Sequence, residues 1–134
     1  MKLKSLTLII LLTILLSACG SIGGDPMDGT SWELYAISKH RPIEGSHITI
    51  AFEDGRATGS SGCNSYGAEY QVNGDRIEFG VFESTLMACL DTAMMEQEST
   101  FMQMLGNAQR FEIVDGQLLI YWSGHEALTF VPTE

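Results

Sequence analysis

The chain reads as an α+β protein: about eight short antiparallel strands in a curled sheet or open barrel, with one helix packed against it. Three observations predict this. The turn dipeptides Asp54-Gly55, Asn73-Gly74, Asp115-Gly116 and Ser123-Gly124 recur between short runs of alternating apolar residues, a pattern of hairpins rather than parallel crossovers. A single stretch after Leu90 changes to helical period. The length, 134 residues, leaves room for one domain.

Residues 1–18 read as a secretory signal. Lys2 and Lys4 precede an apolar run from Leu6 to Leu16, interrupted only by Thr7 and Thr13, and Leu16-Ser17-Ala18-Cys19 follows. A basic start, a short apolar core and small residues before the cut describe an exported chain; spanning a bilayer takes about 20 apolar residues. Cys19 after Leu-Ser-Ala resembles a bacterial lipobox. That resemblance implies cleavage before Cys19, diacylation of its thiol and attachment of the protein to a membrane by lipid. Each buried methylene contributes about 0.8 kcal/mol, so two or three acyl chains anchor stably. Gly20 in place of Asp resembles the outer-membrane sorting pattern, which places the protein on the periplasmic side in an organism with two membranes. The alternative is an ordinary cleavable signal with an incidental cysteine. Residues 19–28, rich in Gly, Ser, Asp and Pro, are expected to form the lipidated N-terminus and a flexible tether. The domain proper is 29–134.

Ser31–Ile37 sets Trp32, Leu34 and Ala36 on one side of a strand, and Ile48, Ile50 and Phe52 do the same after a polar loop carrying Pro42. Arg56–Gly59 returns as the partner across Asp54-Gly55. Ser60–Ser65 is too rich in small polar residues to continue a regular strand. Tyr66–Val72 and Arg76–Phe79 form a second hairpin, and Glu83–Leu90 is a connection. Asp91 or Thr92 caps the helix, with Glu96 and Glu98 near its positive end. Leu90, Met94, Phe101 and Leu105 make its apolar stripe, and Gly106 suits the exit. Arg110–Val114, Gln117–Trp122 and Glu126–Val131 close the chain as three hairpin-linked strands.

Loss of residues 1–18 removes two lysines and no acid, taking the net charge from −10 to −12, five basic residues against 17 acidic. So acidic a domain excludes nucleic-acid binding through phosphates, which needs a basic face. Basic proteins or cations are the electrostatic partners, and solubility is the alternative use of the charge. With Cys19 taken by lipid, Cys63 and Cys89 remain. An oxidising compartment permits a disulfide between them, worth roughly 3–4 kcal/mol in the chain-entropy model; two buried free thiols are the other reading.

Three blocks then resemble a known family: Gly29-Thr30-Ser31-Trp32-Glu33-Leu34, Gly62-Cys63-Asn64-Ser65-Tyr66, and Ser84-Thr85-Leu86-Met87-Ala88-Cys89. Their order, the helix with Glu98 and Phe101, and the closing hairpin are similar to the META domain, the family of HslJ-like heat-shock proteins. The resemblance spans roughly Asp28 to Pro132. It implies a small antiparallel barrel-like fold, often on envelope lipoproteins, with no established enzymatic activity. Leu86 departs from the Arg that many members carry.

The chemistry in the residues is sparse. Gly62, Asn64 and Tyr66 form a candidate recognition loop, in which small residues admit a partner's backbone, Asn64 offers its amide and Tyr66 a rigid ring. The architectural alternative has Gly62 permitting a bend, Asn64 bonding the turn and Tyr66 packing. Met87, Met94, Met95, Met102 and Met104 suit Cu(I), but without His-x-His or Cys-x-x-Cys they read as core filling, and no metal or cofactor is expected. His40, His47 and His125 are scattered. No Gly-x-Ser-x-Gly elbow, zincin helix or phosphate-cradling loop is present. The expectation is a non-catalytic envelope lipoprotein, a binding or accessory module in the envelope stress response or in assembly, meeting the membrane through its lipid and a protein through the barrel face near Gly62–Tyr66 and Cys89. The alternatives are an acyl-chain carrier for an outer-membrane partner, and an inhibitor of a basic hydrolase such as lysozyme.

Overall fold

The structure, a computed structural model, describes residues 23–134. The expected signal and Cys19 lie outside the described residues. Eight strands form one antiparallel barrel: β1 (Thr30–Ile37), β2 (Thr49–Glu53), β3 (Arg56–Ser60), β4 (Ser65–Asn73), β5 (Arg76–Phe79), β7 (Arg110–Val114), β8 (Gln117–Ser123) and β9 (Glu126–Pro132). A two-residue strand, β6 (Glu83–Ser84), adds to the outside of β4, and the helix α1 (Thr92–Gly106) lies between β6 and β7 in the chain. Neighbours run β3-β2-β1-β9-β8-β7-β5-β4, and β4 returns to β3.

That last pairing corrects the expected open edge. Arg56↔Glu69 through Ser60↔Ser65 is a continuous five-residue ladder, so the barrel is closed. Closure removes the free edges that β3 and β4 would otherwise offer for aggregation. The small residues of Ser60–Ser65 end one strand as expected, and they also turn the chain back onto it. Gly59 is needed there, because a β-carbon at that position would overlap the Thr49 carbonyl.

Alternation decides which side chains fill the barrel. Trp32, Leu34 and Ala36 of β1, Ile50 and Phe52 of β2, Leu118 and Ile120 of β8, and Leu128 and Phe130 of β9 are all buried. Two turns place both central residues at positive φ, Asp54-Gly55 and Asp115-Gly116, and their twist matches that of the flanking strands. Phe101 and Leu105 of α1 are fully buried, and Phe101 meets Tyr66 and Phe130 edge-on. The helix begins at Asp91, whose side chain accepts from the Ala93 amide at 2.8 Å. Leu90, expected on the apolar stripe, instead precedes the cap and is fully exposed.

The expected tether also differs. Met27 is completely buried, the Tyr70 hydroxyl donates to Asp25, and the Asp54 amide donates to Asp28 at 2.8 Å. Folded structure therefore begins by residue 25. A lone Met among Gly, Asp and Pro carries no periodicity, so nothing in the local pattern marks it as core.

The interior is filled rather than hollow. Phe52, Phe101, Phe130, Met27, Ile50, Ile77, Leu118 and Leu128 are at or below 1% exposed and occupy the space an enclosed acyl chain would need.

Candidate binding site

The site forms where β3 gives way to β4. Ser61 is completely buried; its amide donates to the Asn64 carbonyl at 2.8 Å, closing a tight turn with Gly62 at a φ of 111°. Ile48, immediately before β2, bridges to Ser61. This turn presents Cys63 and Asn64 to the segment that follows β6. Cys63 is bonded to Cys89, with α-carbons 6.0 Å apart.

Asn64 acts there as a substitute peptide group. Its Oδ1 accepts from the Met87 amide at 2.7 Å and from the Thr85 hydroxyl at 2.8 Å. Its Nδ2 donates to Glu98 Oε1 at 2.7 Å and, more distantly, to the Met87 carbonyl at 3.4 Å. A side-chain amide thus continues, for one residue, the pairing that β6 starts on β4. The Thr85 amide completes the splice by donating to the Ser65 carbonyl at 3.0 Å. Thr85–Cys89 is irregular, yet its backbone has partners, and the disulfide fixes its far end.

Tyr66, expected as a recognition residue, points inward. It is 4% exposed, its ring lies 5.9 Å from Phe82 and 5.8 Å from Phe101, and its hydroxyl donates to the Thr49 carbonyl at 2.8 Å. Burial pushes its phenol far above the ordinary range. Gly62 and Asn64 likewise serve the architecture, since both functions of the Asn64 amide are engaged within the chain. The motif builds the platform that holds Thr85–Cys89, and Asn64 also lines the groove beside it.

What the platform presents is apolar. Leu86 is 97% exposed and Met87 65%, with Leu90 fully exposed and Met95 exposed on α1. Leu86, Met87 and Ala88 on one side and Met95 and Met102 on the other wall an open groove of about 430 Å³ with Asn64 and Glu98 in it. Reading these methionines as core filling holds in part. Met102 and Met104 pack against the core, whereas Met87 and Met95 face outward.

Glu98 is half-buried at this groove. The Ser61 hydroxyl lies 3.0 Å from its Oε1, the same oxygen that Asn64 holds. In the sequence Glu98 stands as a helix-end charge and, with Phe101, as part of the helix that resembles the family. The available signal was its position three residues before Phe101 and seven before Leu105, on the stripe that faces the barrel. Cys63, Cys89 and Glu98 bring donor atoms within 4.8 Å of one another. Both sulfurs are occupied by the disulfide, so the trio is not a ligand set as it stands. Of the scattered histidines, His47 approaches Glu33 at 3.2 Å on the surface.

These features define a class: a small closed antiparallel barrel with one helix and an irregular segment stapled beside it. The META domain matches residues 25–134, and the chain belongs to the META domain family. A protein from Burkholderia xenovorans solved by NMR is similar in fold, with a TM-score of 0.68 at 25% identity, over 80% of this chain and 83% of that one. A second NMR structure gives 0.65 at 18% identity, over 79% and 91%. A DUF4847 family protein from Bacteroides vulgatus gives 0.57 at 17%, over 79% and 94%. These last two show the fold alone. No curated protein matches the chain. The META domain is not a known enzyme family.

Proposed function

We propose that this protein is an exported, non-catalytic binding module, anchored through lipid on Cys19 to a membrane of the bacterial envelope. It engages an envelope protein through the face formed by Leu86, Met87, Leu90 and Met95. The observation that carries this reading is the exposure of these four large apolar side chains around a segment held by a disulfide and by Asn64. Isolated exposed apolar residues are ordinary; a contiguous group on a fixed segment marks an interaction surface. The acidic domain keeps its distance from anionic lipid, so the acyl chains rather than this face meet the membrane.

In-cell photocrosslinking tests the proposal. A crosslinkable residue at position 86, 90 or 95 is expected to give a discrete adduct in the membrane fraction, and one at Gln71 or Glu126, exposed elsewhere, none. Equal adducts from all five positions, or none from the first three, would count against the surface. A Cys19→Ser variant that stays in the membrane fraction would remove the anchor.

A further inference from the structure

We infer that the groove beside Glu98 receives an arginine or lysine side chain, presented by the partner protein among apolar neighbours. This rests on the proposed binding face and names the chemistry of its partner. Three observations carry it.

The first is the carboxylate. Asn64 holds Oε1 of Glu98, with the Ser61 hydroxyl 3.0 Å from the same oxygen and 2.9 Å from the Asn64 carbonyl, and Oε2 receives no hydrogen bond from the described residues. No basic side chain among them comes within ion-pair distance of Glu98; the pairs present are His47–Glu33, Arg56–Glu83 and Arg110–Glu112. A half-buried carboxylate held in place has already lost much of its side-chain freedom, which is the cost that weakens most surface ion pairs. An incoming guanidinium or ammonium meets an oriented acceptor.

The second is the wall. Leu86, Met87, Met95 and Met102 line the groove with flexible, polarisable or branched apolar groups. A long basic side chain has an aliphatic stem that needs such a surface while its charged head reaches a polar end. A purely apolar ligand would take Oε2 of the carboxylate out of water with no new hydrogen bond, which is unfavourable.

The third is the surrounding field. Between Arg76 and Arg110 the chain carries Glu78, Glu83, Asp91, Glu96 and Glu98, and no Lys, Arg or His; Arg56 from β3 pairs with Glu83, which leaves Asp91, Glu96 and Glu98 as the negative charges of the helix and its cap. The irregular segment and the whole helix lie inside that interval. A positive side chain is drawn toward this region, and an acidic one is repelled.

The test uses the purified full chain in nonionic detergent with methionine methyl groups labelled for NMR. The probes are acetyl-Ala-Leu-Arg-Leu-Ala-amide and the same peptide with Glu in place of Arg. The Arg peptide is expected to shift the Met87, Met95 and Met102 methyl signals saturably, with an effect that weakens as salt is raised. The Glu peptide should bind at least several-fold more weakly. Glu98→Gln, which keeps an oxygen acceptor for Asn64, should weaken the Arg peptide by roughly fivefold and reduce the difference between the two peptides. Equal binding of both peptides by the unmodified chain, or no binding of either, overturns the inference. So does an Arg affinity that Glu98→Gln leaves unchanged. Photocrosslinks from positions 86, 90 and 95 that persist alongside such a result would leave the binding face standing and remove only the basic occupant.

Discussion

Asn64 shows how one side chain decides what a segment can do. Thr85–Cys89 has no strand or helix of its own, and the carboxamide of Asn64 supplies the partners that a neighbouring peptide group would otherwise give. Of the expected recognition loop, what could be read in the sequence was the residue types and their proximity to the cysteines. Their direction could not be read. An Asn at a turn reads identically whether it faces a ligand or its own chain, and Tyr66 faces inward because strand pairing with Gly59 sets its side. Tyr66 also gives the molecule a pH limit. Its phenol, with a reference value of 10.0, is raised by burial, and that of Tyr70 is raised by burial and then by its bond to Asp25. An unfolded tyrosine ionises near 10 while the folded one stays neutral, so this contribution is whole below pH 10 and lost as pH rises above it. Urea midpoints are expected to hold from pH 8 to about 9.5 and to fall steeply above 10. Tyr66→Phe should cost about 1 kcal/mol at pH 8, from the lost bond to Thr49, and make the alkaline fall shallower. An unchanged alkaline profile in that variant would show that Tyr66 does not set the limit.

At the scale of elements, the regular strands were the most legible. Period-two alternation in β1, β2, β8 and β9 names the inward residues, and the Asp-Gly turns name the hairpins. The helix was legible in its cap and in Phe101 and Leu105, but its stripe was drawn one turn too long through Leu90. The Asp91 cap fixes the start after that residue. Closure was hidden because strand identity does not specify which edge meets which; β3 and β4 are joined by a turn whose small residues give no apolar rhythm. The segment before β1 was hidden for a similar reason. Met27 is the one apolar side chain in its neighbourhood, and burying it recruits Asp25 and Asp28 as hydrogen-bond partners of Tyr70 and of the Asp54 turn. Met27→Ala is expected to destabilise the domain by about 2–5 kcal/mol, as deletion of a fully buried side chain does. A urea midpoint equal to that of the unmodified chain would show that the segment is a tether after all.

The whole molecule separates stability from interaction. The barrel buries its apolar residues in a filled interior and closes β3 onto β4, so among the described residues its eight barrel strands offer little for a partner to pair with. The apolar surface remaining at Leu86, Met87, Leu90 and Met95 adds nothing to that core. It is nevertheless held by a disulfide that, for a loop of 26 residues, contributes roughly 3–4 kcal/mol, and by the Asn64 junction. The proposal that this segment is a binding face rests on how firmly the fold fixes its exposed apolar side chains. The most direct measurement pairs denaturant unfolding with capture of the photocrosslinked partner in a Leu86→Asp/Met87→Asp variant, with Asn64→Ala beside it. Both replaced side chains in the first variant are exposed, so its stability should stay within about 0.5 kcal/mol of the unmodified chain while capture is lost. Asn64→Ala should lower stability by about 1–2 kcal/mol. Undiminished capture by the folded double variant would contradict the account and move the binding surface elsewhere on the barrel.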